Sequence, residues 1–262
     1  MSKQLKERIR SNQSVLATRI NSTWPYIAEI VGATRQYDYI EFLGEYSPFI
    51  QSDLENIARA CELHGMESII KVDFLNRGYV AQKSVASGIN GILFTDHTTA
   101  DQVRESIDYV RASLPTNTGK LGYVNRRFVR NSGFSGPMDF SQKQNESILV
   151  GFMIEKSDAV INIDKICQVE GIDFIQFGPA DYSMSCGYNY KEDHERTKAA
   201  ELNVIRVAQK YGISVRVEIN HPEDALDYLN LGIRHFAIGT EARILRDYWL
   251  SAGQGMRSIF ER

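Results

Sequence analysis

The sequence feature that most constrains the fold is a repeated alternation of short apolar runs with longer amphipathic segments. The apolar runs are rich in β-branched and aromatic residues, and they cover Val15 to Ile20, Tyr37 to Phe42, Glu67 to Val72, Gly91 to Thr95, Ile148 to Ile154, Asp173 to Phe177, Ser214 to Ile219 and His235 to Gly239. Between the second and third runs, Leu54, Ile57, Ala58 and Cys61 follow the spacing of one helix face. Buried strands that alternate with helices predict a parallel sheet covered by helices.

Eight strand–helix units in a chain of 262 residues match the count and size of a single (β/α)8 barrel, or TIM barrel, which typically has about 250 residues. The alternative is a doubly wound open sheet, which usually has fewer strands and a glycine-rich phosphate turn after its first strand. No G-x-G-x-x-G motif follows Ile20. We therefore predict an α/β fold with one TIM-barrel domain over residues 1–262.

The composition and the distribution of apolar residues argue against nucleic acid and membranes as partners. The formal net charge of −3 argues against nucleic acid as the main partner. No apolar run approaches the length of a membrane span, and the first ten residues, "MSKQLKERIR", lack the apolar core of a signal peptide. Cys61, Cys167 and Cys186 lie too far apart to suggest a disulfide framework or a thiolate metal site. The sequence therefore predicts a cytoplasmic protein that binds neither nucleic acid nor a membrane.

One region breaks the alternation. Residues 113–146 form a polar segment with several glycines and a basic stretch from Asn125 to Arg130, after the fourth strand–helix unit. A structureless segment of this length in a compact domain is usually functional or disordered. Two interpretations remain open: an irregular insert near the barrel mouth, and a flexible surface loop with solvated arginines.

Two of the predicted strands lead into an acidic residue. Glu155 directly follows one strand, and Asp181 follows the next strand after the turn Gly178-Pro179-Ala180, whose backbone amides can hold a substrate carboxylate. The carboxyl ends of barrel strands meet at the mouth, where active sites are built. Two carboxylates aimed at one point repel each other unless a cation or a shared proton lies between them, and oxygen ligands suit Mg²⁺ or Mn²⁺. The spacing leaves a second interpretation open, in which both acids only cap the helices that follow.

Around these residues the sequence resembles a known family. The segment "VGFMIEKSDAVINIDKICQVEGIDFIQFGPADYSMSCG" is similar to the HpcH/HpaI aldolase/citrate lyase family, which reads E-T-x-x-A-x-x-N-x-x-x-I and then G-x-D-x-x-x-x-G-P-x-D-L-S-x-x-x-G. The matching residues are Glu155, Ala159, Asn162, Ile166, Gly171, Asp173, Gly178, Pro179, Asp181, Ser183 and Gly187, with Tyr182 in place of leucine. The stretches "YDYIEFLGEYSPF" and "ASGINGILF" parallel the family's D-F-x-x-x-D-x-E-H-x-P-F and D-x-G-A-x-G-I-x-x-P, so the likeness covers most of the chain.

The resemblance implies a metal-dependent carbon–carbon lyase, a class II aldolase that reversibly cleaves a 4-hydroxy-2-oxo acid to pyruvate and an aldehyde. It implies that Glu155 and Asp181 hold a divalent metal, Mg²⁺ or Mn²⁺ with Co²⁺ as a further option, which stabilises the enolate formed when the C–C bond breaks. It also implies a homo-oligomer, a hexamer built as a trimer of dimers, in which the helical segment 241–262 packs on a neighbouring subunit.

The acid–base part of the family pattern is altered. The family's glutamate is kept as Glu45, but its aspartate, histidine and arginine are replaced by Leu43, Tyr46 and Lys71. A tyrosine titrates near pH 10 and a histidine near neutral pH, so Tyr46 is a hydrogen-bond donor rather than a ready base. Lys71 keeps the arginine's charge without its planar pair of donors. By resemblance we expect the catalytic residues to include Glu45, Tyr46 and Lys71, with Lys71 also on the keto oxygen and the substrate carboxylate on Gly178, Pro179 and Ala180.

Other groups that follow predicted strands can replace the missing acid–base unit. They are Asp73, Asp96, His97 and Glu218. We include His97 among the catalytic residues because it lies at the carboxyl end of a predicted strand, whereas His221 with Pro222 is typical of a helix start. Three functions stay open: aldol cleavage, other enolate chemistry on the same metal site (a condensation, or an oxaloacetate-like acid), and non-catalytic binding of a 2-oxo acid.

Overall fold

The computed structural model describes residues 2–124, 126–127 and 136–261. Within these residues, parallel strands pair in chain order and form a closed barrel, in which β1 also pairs with β8. The strands are β1 Val15–Ile20, β2 Tyr39–Phe42, β3 Glu67–Val72, β4 Gly91–Phe94, β5 Leu149–Ile154, β6 Phe174–Phe177, β7 Ser214–Ile219 and β8 His235–Thr240. The predicted TIM barrel is confirmed, and each strand lies beside the strands that come before and after it in the chain.

The helices of the described residues are α1 Ser2–Arg10, α2 Pro25–Ala33, α3 Gln51–Leu63, α4 Arg77–Ser87, α5 Ala100–Val110, α6 Pro137–Ser147, α7 Ser157–Ile161, α8 Ile163–Cys167, α9 Pro179–Cys186, α10 His194–Lys210, α11 Ala225–Asn230 and α12 Glu241–Phe260, with a 3-10 turn at Pro222–Asp224. Local sequence fixes several of their ends. Thr99 and Gln102 form a capping box at the start of α5, and Gly88 ends α4 in the left-handed conformation. In the part of the chain that the structure describes, we find no helix with the length and apolarity of a bilayer-spanning segment.

Alternate residues of the strands face two separate cores, as the pleat requires. The larger core lies between the strands and the surrounding helices. The smaller core fills the barrel interior with Val15, Ala17, Tyr39, Ile69, Leu93, Leu149, Met153, Phe174 and Ala237. Leu5 and Ile9 of α1 join this interior cluster. Helix α1 therefore closes the end of the barrel at which the strands begin, and the opposite end forms the mouth.

Buried charges attach α1 to the barrel. Lys6 Nζ donates to the carbonyl oxygen of Ile148 (2.7 Å) and lies 3.2 Å from an oxygen of Asp173. Arg10 Nε donates to the other oxygen of Asp173 at 2.7 Å. Burial lowers the pKa of Lys6 to about 8, although Asp173 opposes the shift. Asp173, which belongs to the family pattern, is therefore a structural residue at the closed end, remote from the mouth.

The segment 113–146 contains more regular structure than predicted. Its last part belongs to helix α6, and Ala112 forms a β-bridge with Leu121. Arg127 Nη1 donates to Glu62 Oε1 at 2.9 Å, near the carboxyl-terminal end of α3. These contacts place Leu121 and Arg127 beside the carboxyl-terminal ends of α5 and α3, and the irregular insert near the mouth stays a prediction. Residues 125 and 128–135, which include most of the basic stretch, lie outside the described residues.

Helix α12 makes little contact with its own barrel. None of its residues, all of which the structure describes, is buried. Its exposed apolar side chains are Ile244, Leu245, Tyr248, Trp249, Leu250, Met256, Ile259 and Phe260. Apolar surface of this extent usually marks a site of protein contact. The packing of residues 241–262 on a neighbouring subunit stays a prediction.

Candidate active site

Glu155 lies at the mouth directly after β5, and it is 2 % exposed. The backbone amide of Asp96 donates to Glu155 Oε1 at 3.0 Å. A Cβ atom on Gly178 would lie 2.7 Å from Glu155 Cβ, so this close approach of the two strands requires a glycine. Burial raises the pKa of Glu155 to about 7, although the charge of Lys71 opposes the shift. The Glu155 carboxylate is therefore poorly solvated and would gain from a bound cation.

Asp181 lies in the first turn of α9, the helix that follows β6. Strands β5 and β6 are hydrogen-bonded neighbours, so Glu155 and Asp181 share one sector of the mouth, as predicted. The Asp181 side chain is more open to solvent than Glu155, at 38 % exposure. A carboxylate in the first turn of a helix is also favoured by the helix dipole.

The turn Gly178-Pro179-Ala180 offers fewer backbone donors than expected. The amide of Gly178 already donates to Ile154 O at 3.0 Å, and proline has no N–H group. The amides of Ala180 and Asp181 are in the first turn of α9, where no intrahelical acceptor is available. If this turn holds a substrate carboxylate, Ala180 and Asp181 supply the hydrogen bonds while Gly178 and Pro179 shape the backbone.

Lys71 extends from the carboxyl-terminal part of β3, and its Nζ lies 2.6 Å from Glu45 Oε2. Burial acts to lower the pKa of Lys71, but the charges of Glu155 and Glu45 outweigh burial, and the pKa is raised. Lys71 is therefore an ammonium ion at neutral pH. It can donate hydrogen bonds to an oxygen of the substrate, as the family's arginine would, but it is a poor base.

Tyr46 reaches the mouth, where it is 84 % exposed. The negative charge of Glu45, with smaller effects of burial and of a hydrogen bond to the same carboxylate, raises the pKa of Tyr46. The charges of Asp181 and Lys71 also act on this hydroxyl. The structure thus brings Tyr46, Glu45, Lys71, Glu155 and Asp181 together, with Tyr46 as a proton donor.

The structure contradicts the prediction that His97 serves as a base at the mouth. Its ring is buried, and Phe74, Phe94 and Phe152 surround it in edge-on contacts. The Nδ1 atom lies 2.6 Å from the carbonyl oxygen of Thr95, and Nε2 lies 2.6 Å from Ser106 Oγ. Since the carbonyl can only accept, Nδ1 carries the proton and Nε2 accepts from Ser106. Burial also lowers the pKa of His97 to about 4, so this histidine is a neutral core residue.

Asp96 lies beside the candidate metal ligands. Its backbone has a positive φ of 60°, an uncommon conformation for a residue with a Cβ atom. This conformation directs the amide of Asp96 to Glu155, while its carboxylate lies 2.8 Å from Lys156 Nζ. Asp73, by contrast, accepts from the amide of Asn76 (2.8 Å) and shapes a local turn.

Lys156 is the site residue that the sequence analysis missed. Its Nζ lies between two carboxylates, 2.8 Å from Asp96 Oδ1 and 3.9 Å from Asp181 Oδ1. The signal was present, because the family pattern has a threonine after the glutamate and this chain has a lysine. The substitution places a second ammonium group at the mouth, in addition to the one on Lys71.

A buried charged layer lies beneath the mouth. Arg216 and Glu41 form an ion pair in which both side chains are inaccessible to solvent. Arg216 also donates to Gln176 Oε1 and, at 3.0 Å, to the hydroxyl of Tyr39. Gln176 Nε2 donates to Glu218 Oε1 at 2.6 Å. Glu218, which was predicted as an alternative proton carrier, is therefore engaged in this layer and in an ion pair with Arg19 on its mouth side.

The carboxylate pair can bind a divalent metal if water and substrate oxygens supply the remaining ligands. Among the described residues, no group of three or more His, Cys, Asp and Glu side chains converges on one point. Glu155 and Asp181 would supply two protein ligands, and Mg²⁺ commonly takes its remaining ligands from water and substrate. The poorly solvated Glu155 and the glycine pressed against it support this assignment.

Fold and site together define a single TIM barrel with an acidic site at its mouth. The sequence model of the HpcH/HpaI aldolase/citrate lyase family matches residues 20–247. The chain belongs to this family of enzymes, as the resemblance indicated. Members of the family depend on a divalent metal.

Individual relatives agree with this assignment. The chain is 27 % identical to a 2-keto-3-deoxy-L-rhamnonate aldolase of Escherichia coli O17:K52:H18 over 242 residues, which cover 92 % of this chain and 88 % of the relative. A solved structure of a family protein from Burkholderia cenocepacia J2315 superposes with a TM-score of 0.86 at 21 % identity, covering 97 % and 99 % of the two chains. The structure of citrate synthase SbnG superposes with a TM-score of 0.85 at 22 % identity, covering 98 % and 99 %. At these identities the two superpositions show the shared fold.

Proposed function

We propose that this protein is a divalent-metal-dependent carbon–carbon lyase that reversibly cleaves a 4-hydroxy-2-oxo acid to pyruvate and an aldehyde. The observation that carries the proposal is the placement of two carboxylates, the buried Glu155 and the partly exposed Asp181, at the ends of neighbouring strands, with the Lys71 ammonium close by. The aldolase relative supports the substrate class, because a 2-keto-3-deoxy sugar acid is itself a 4-hydroxy-2-oxo acid. The metal is Mg²⁺ or Mn²⁺, with Co²⁺ as a further option.

Each side chain has a distinct task in this proposal. Glu155 and Asp181 would hold the metal, which would supply Lewis-acid stabilisation of the negative charge on the substrate. Lys71 donates to the keto oxygen of the substrate, and its fixed positive charge adds to that stabilisation. The amides of Ala180 and Asp181 hold the substrate carboxylate. Cleavage removes the proton of the 4-hydroxyl, breaks the C3–C4 bond and leaves its electron pair in the C2–C3 double bond of the enolate.

We assign the proton transfer to Glu45, with Tyr46 as a hydrogen-bond donor beside it. Glu45 is the carboxylate that this chain keeps from the family's acid–base unit, and Lys71 holds it at 2.6 Å. Tyr46 can donate to the oxygen of the departing aldehyde but cannot accept a proton at neutral pH. We expect slow cleavage because the carboxylate of Glu45 acts without the family's histidine, and a general acid or base typically contributes about 10²–10⁴-fold in rate.

The altered unit also favours a second candidate, in which the enolate condenses with another substrate or arises from an oxaloacetate-like acid. These reactions need the metal, Lys71 and the enolate, but they do not need removal of a proton from a 4-hydroxyl group. Retro-aldol rates on a panel of 4-hydroxy-2-oxo acids, measured beside oxaloacetate decarboxylation and condensation, separate the two candidates. The double change Leu43→Asp with Tyr46→His should raise the retro-aldol rate more than the two single changes combined, because the residues act as a unit.

Exchange of the methyl protons of pyruvate with solvent deuterium tests whether the site forms an enolate at all. We expect exchange that requires Mn²⁺ or Mg²⁺, and loss of both exchange and Mn²⁺ binding in Glu155→Gln and Asp181→Asn. Asp101→Asn is the matched control, since Asp101 is an exposed acid on α5. Exchange that is absent in the wild type would favour a non-catalytic binder. Exchange that survives in Glu155→Gln would remove the assigned metal site.

The quaternary structure and location complete the proposal. The exposed apolar side chains of α12 support contact with a neighbouring subunit, and the hexamer remains the expected assembly. Sedimentation of the full chain beside a variant with Tyr248 and Trp249 both replaced by serine tests this, with dissociation expected in the variant. The three cysteines are free thiols, which supports a location in the cytoplasm.

A further inference from the structure

A cavity lies beside the candidate site, where the pairing of β6 and β7 ends. The two strands are paired from Phe174 and Ser214 to Gln176 and Arg216. Strand β6 ends at Phe177, whereas β7 continues to Ile219. The cavity at this point has a volume of about 520 Å³. We call it the side channel.

The side channel runs from the mouth to the groove between α10 and α11. Both faces of β7 line it, because Glu218 belongs to the interior charged layer and Val217 belongs to the outer core. Pro179 also lines it, one helical residue away from the amides assigned to the substrate carboxylate. The channel therefore begins beside the turn that is assigned to the substrate carboxylate.

The mouth end of the channel is polar and partly fixed. Arg19 pairs with Glu218 and donates through Nε to Gly239 O at 3.2 Å. A guanidinium has five N–H donors, and these two contacts leave others for a ligand. Asn220 adds an exposed amide group to the same wall. Arg19 is therefore positioned to donate to hydroxyl oxygens of a bound chain.

The outer end of the channel carries hydrogen-bonding groups on aromatic and basic side chains. Lys198 Nζ lies 2.9 Å from the Tyr228 hydroxyl and 2.8 Å from Glu201 Oε2. His194 lies one helical turn before Lys198 and lines the same space, as does Tyr190. An apolar chain in this channel would shield these charged and polar groups from water without offering them hydrogen bonds, which is costly for binding. A chain with several hydroxyl groups would satisfy them.

We propose that the side channel is the subsite for the aldehyde and that it takes a polyhydroxylated aldehyde of four or more carbons. The inference rests on the proposed function and specifies its substrate class. A volume of about 520 Å³ lies within the range of about 300–1,000 Å³ that is usual for small-molecule sites, and far exceeds the need of a two- or three-carbon aldehyde. The aldehyde carbon faces Asp181, and the hydroxylated tail lies between Arg19 and Lys198.

Steady-state kinetics in the condensation direction test the proposal, with pyruvate and Mn²⁺ in excess. D-Erythrose and butyraldehyde have the same number of carbons and differ in their hydroxyl groups. We expect kcat/KM for erythrose to exceed that for butyraldehyde by at least about tenfold, as for a site built to pair hydroxyl groups. Lys198→Met should raise KM for erythrose by about tenfold, since the variant loses a charged donor, with little effect on kcat or on butyraldehyde.

Lys210→Met is the matched control, because Lys210 lies on the same helix at its other end and pairs with Asp164. Equal kcat/KM for the two aldehydes, or an equal effect of Lys198→Met on both, overturns the proposal while pyruvate exchange still supports the lyase. A second measurement does not depend on catalysis: calorimetry with erythritol, an unreactive polyol. Binding that Lys198→Met weakens and Lys210→Met does not supports the subsite even where exchange fails. No binding of erythritol to the wild type, or binding that both variants leave unchanged, overturns it.

Discussion

Replacing Glu155 with glutamine should stabilise the metal-free protein at pH 8 and change its stability little at pH 5. The glutamine keeps the Oε1 atom that accepts the Asp96 amide, so the hydrogen bond of 3.0 Å can persist. What the substitution removes is a charge that the wild type must keep in a buried position. The difference between the two pH values isolates that charge from any change in packing.

The size of the effect follows from the pKa of Glu155, which burial raises from 4.5 to about 7. The folded protein thus holds the proton more tightly than the unfolded chain does. The stability that this proton contributes is fully present below pH 4.5 and is lost as the pH rises to about 7. This rise in the pKa of Glu155 corresponds to about 3 kcal/mol in the free energy of unfolding, and for a chain of this size to about 6–12 °C in Tm.

The assay is thermal or urea unfolding of both proteins in chelator, at pH 5 and at pH 8. We expect Glu155→Gln to unfold at the higher temperature at pH 8, by an amount that shrinks towards pH 5. Added Mn²⁺ should then stabilise the wild type, because a ligand that binds only the folded state raises its stability, and should leave Glu155→Gln unchanged. A difference between the two proteins that is the same at both pH values would refute the electrostatic reasoning.

Three further changes probe the mouth and the layer beneath it. Lys156→Thr should bind Mn²⁺ up to about fivefold more tightly by calorimetry, since it removes a partly exposed ammonium near Asp181 and such pairs are worth up to about 1 kcal/mol; unchanged affinity would contradict this. Arg216→Met should cost about 3–5 kcal/mol in urea unfolding because it strands buried Glu41, whereas Arg216→Met with Glu41→Leu should recover most of the loss; a double variant no more stable than the single one would argue against a stranded charge. Tyr46→Phe should slow turnover by less than about tenfold and leave the pH–rate profile near neutrality unchanged, since Tyr46 acts only as a donor; a loss of 10²–10⁴-fold would identify it as an essential acid or base.

The barrel was predictable because the residues in and next to each strand determine where that strand begins and ends. Apolar runs, turn residues and helical spacing are near-neighbour properties, and they located each strand to within two residues. The positions of Glu155 and Asp181 were predictable for the same reason. In a parallel barrel, a residue directly after a strand lies at the mouth whatever the rest of the chain does.

The prediction for His97 failed because its side chain turns away from the mouth. Thr95 and Ser106 hold the two ring nitrogens, and these contacts come from a carbonyl and from a helix that the position of the strand end does not reveal. The ion pair of Arg216 with Glu41 was missed for a related reason. Each residue reads as an isolated charge in an apolar strand, and the partner becomes visible only when the barrel closes.

The residues that depart from the family pattern form one electrostatic change at the mouth. Leu43 removes a carboxylate, Tyr46 removes a group that can accept a proton, and Lys156 adds an ammonium where the pattern has threonine. Lys71 keeps the positive charge of the arginine that it replaces. The mouth therefore has one negative charge fewer and one positive charge more than the pattern, while the poorly solvated Glu155 remains. Such a site keeps Glu45 as its one carboxylate for proton transfer and has gained stabilisation for an anion, so we expect it to hold an enolate well and to start the cleavage of a 4-hydroxyl compound slowly.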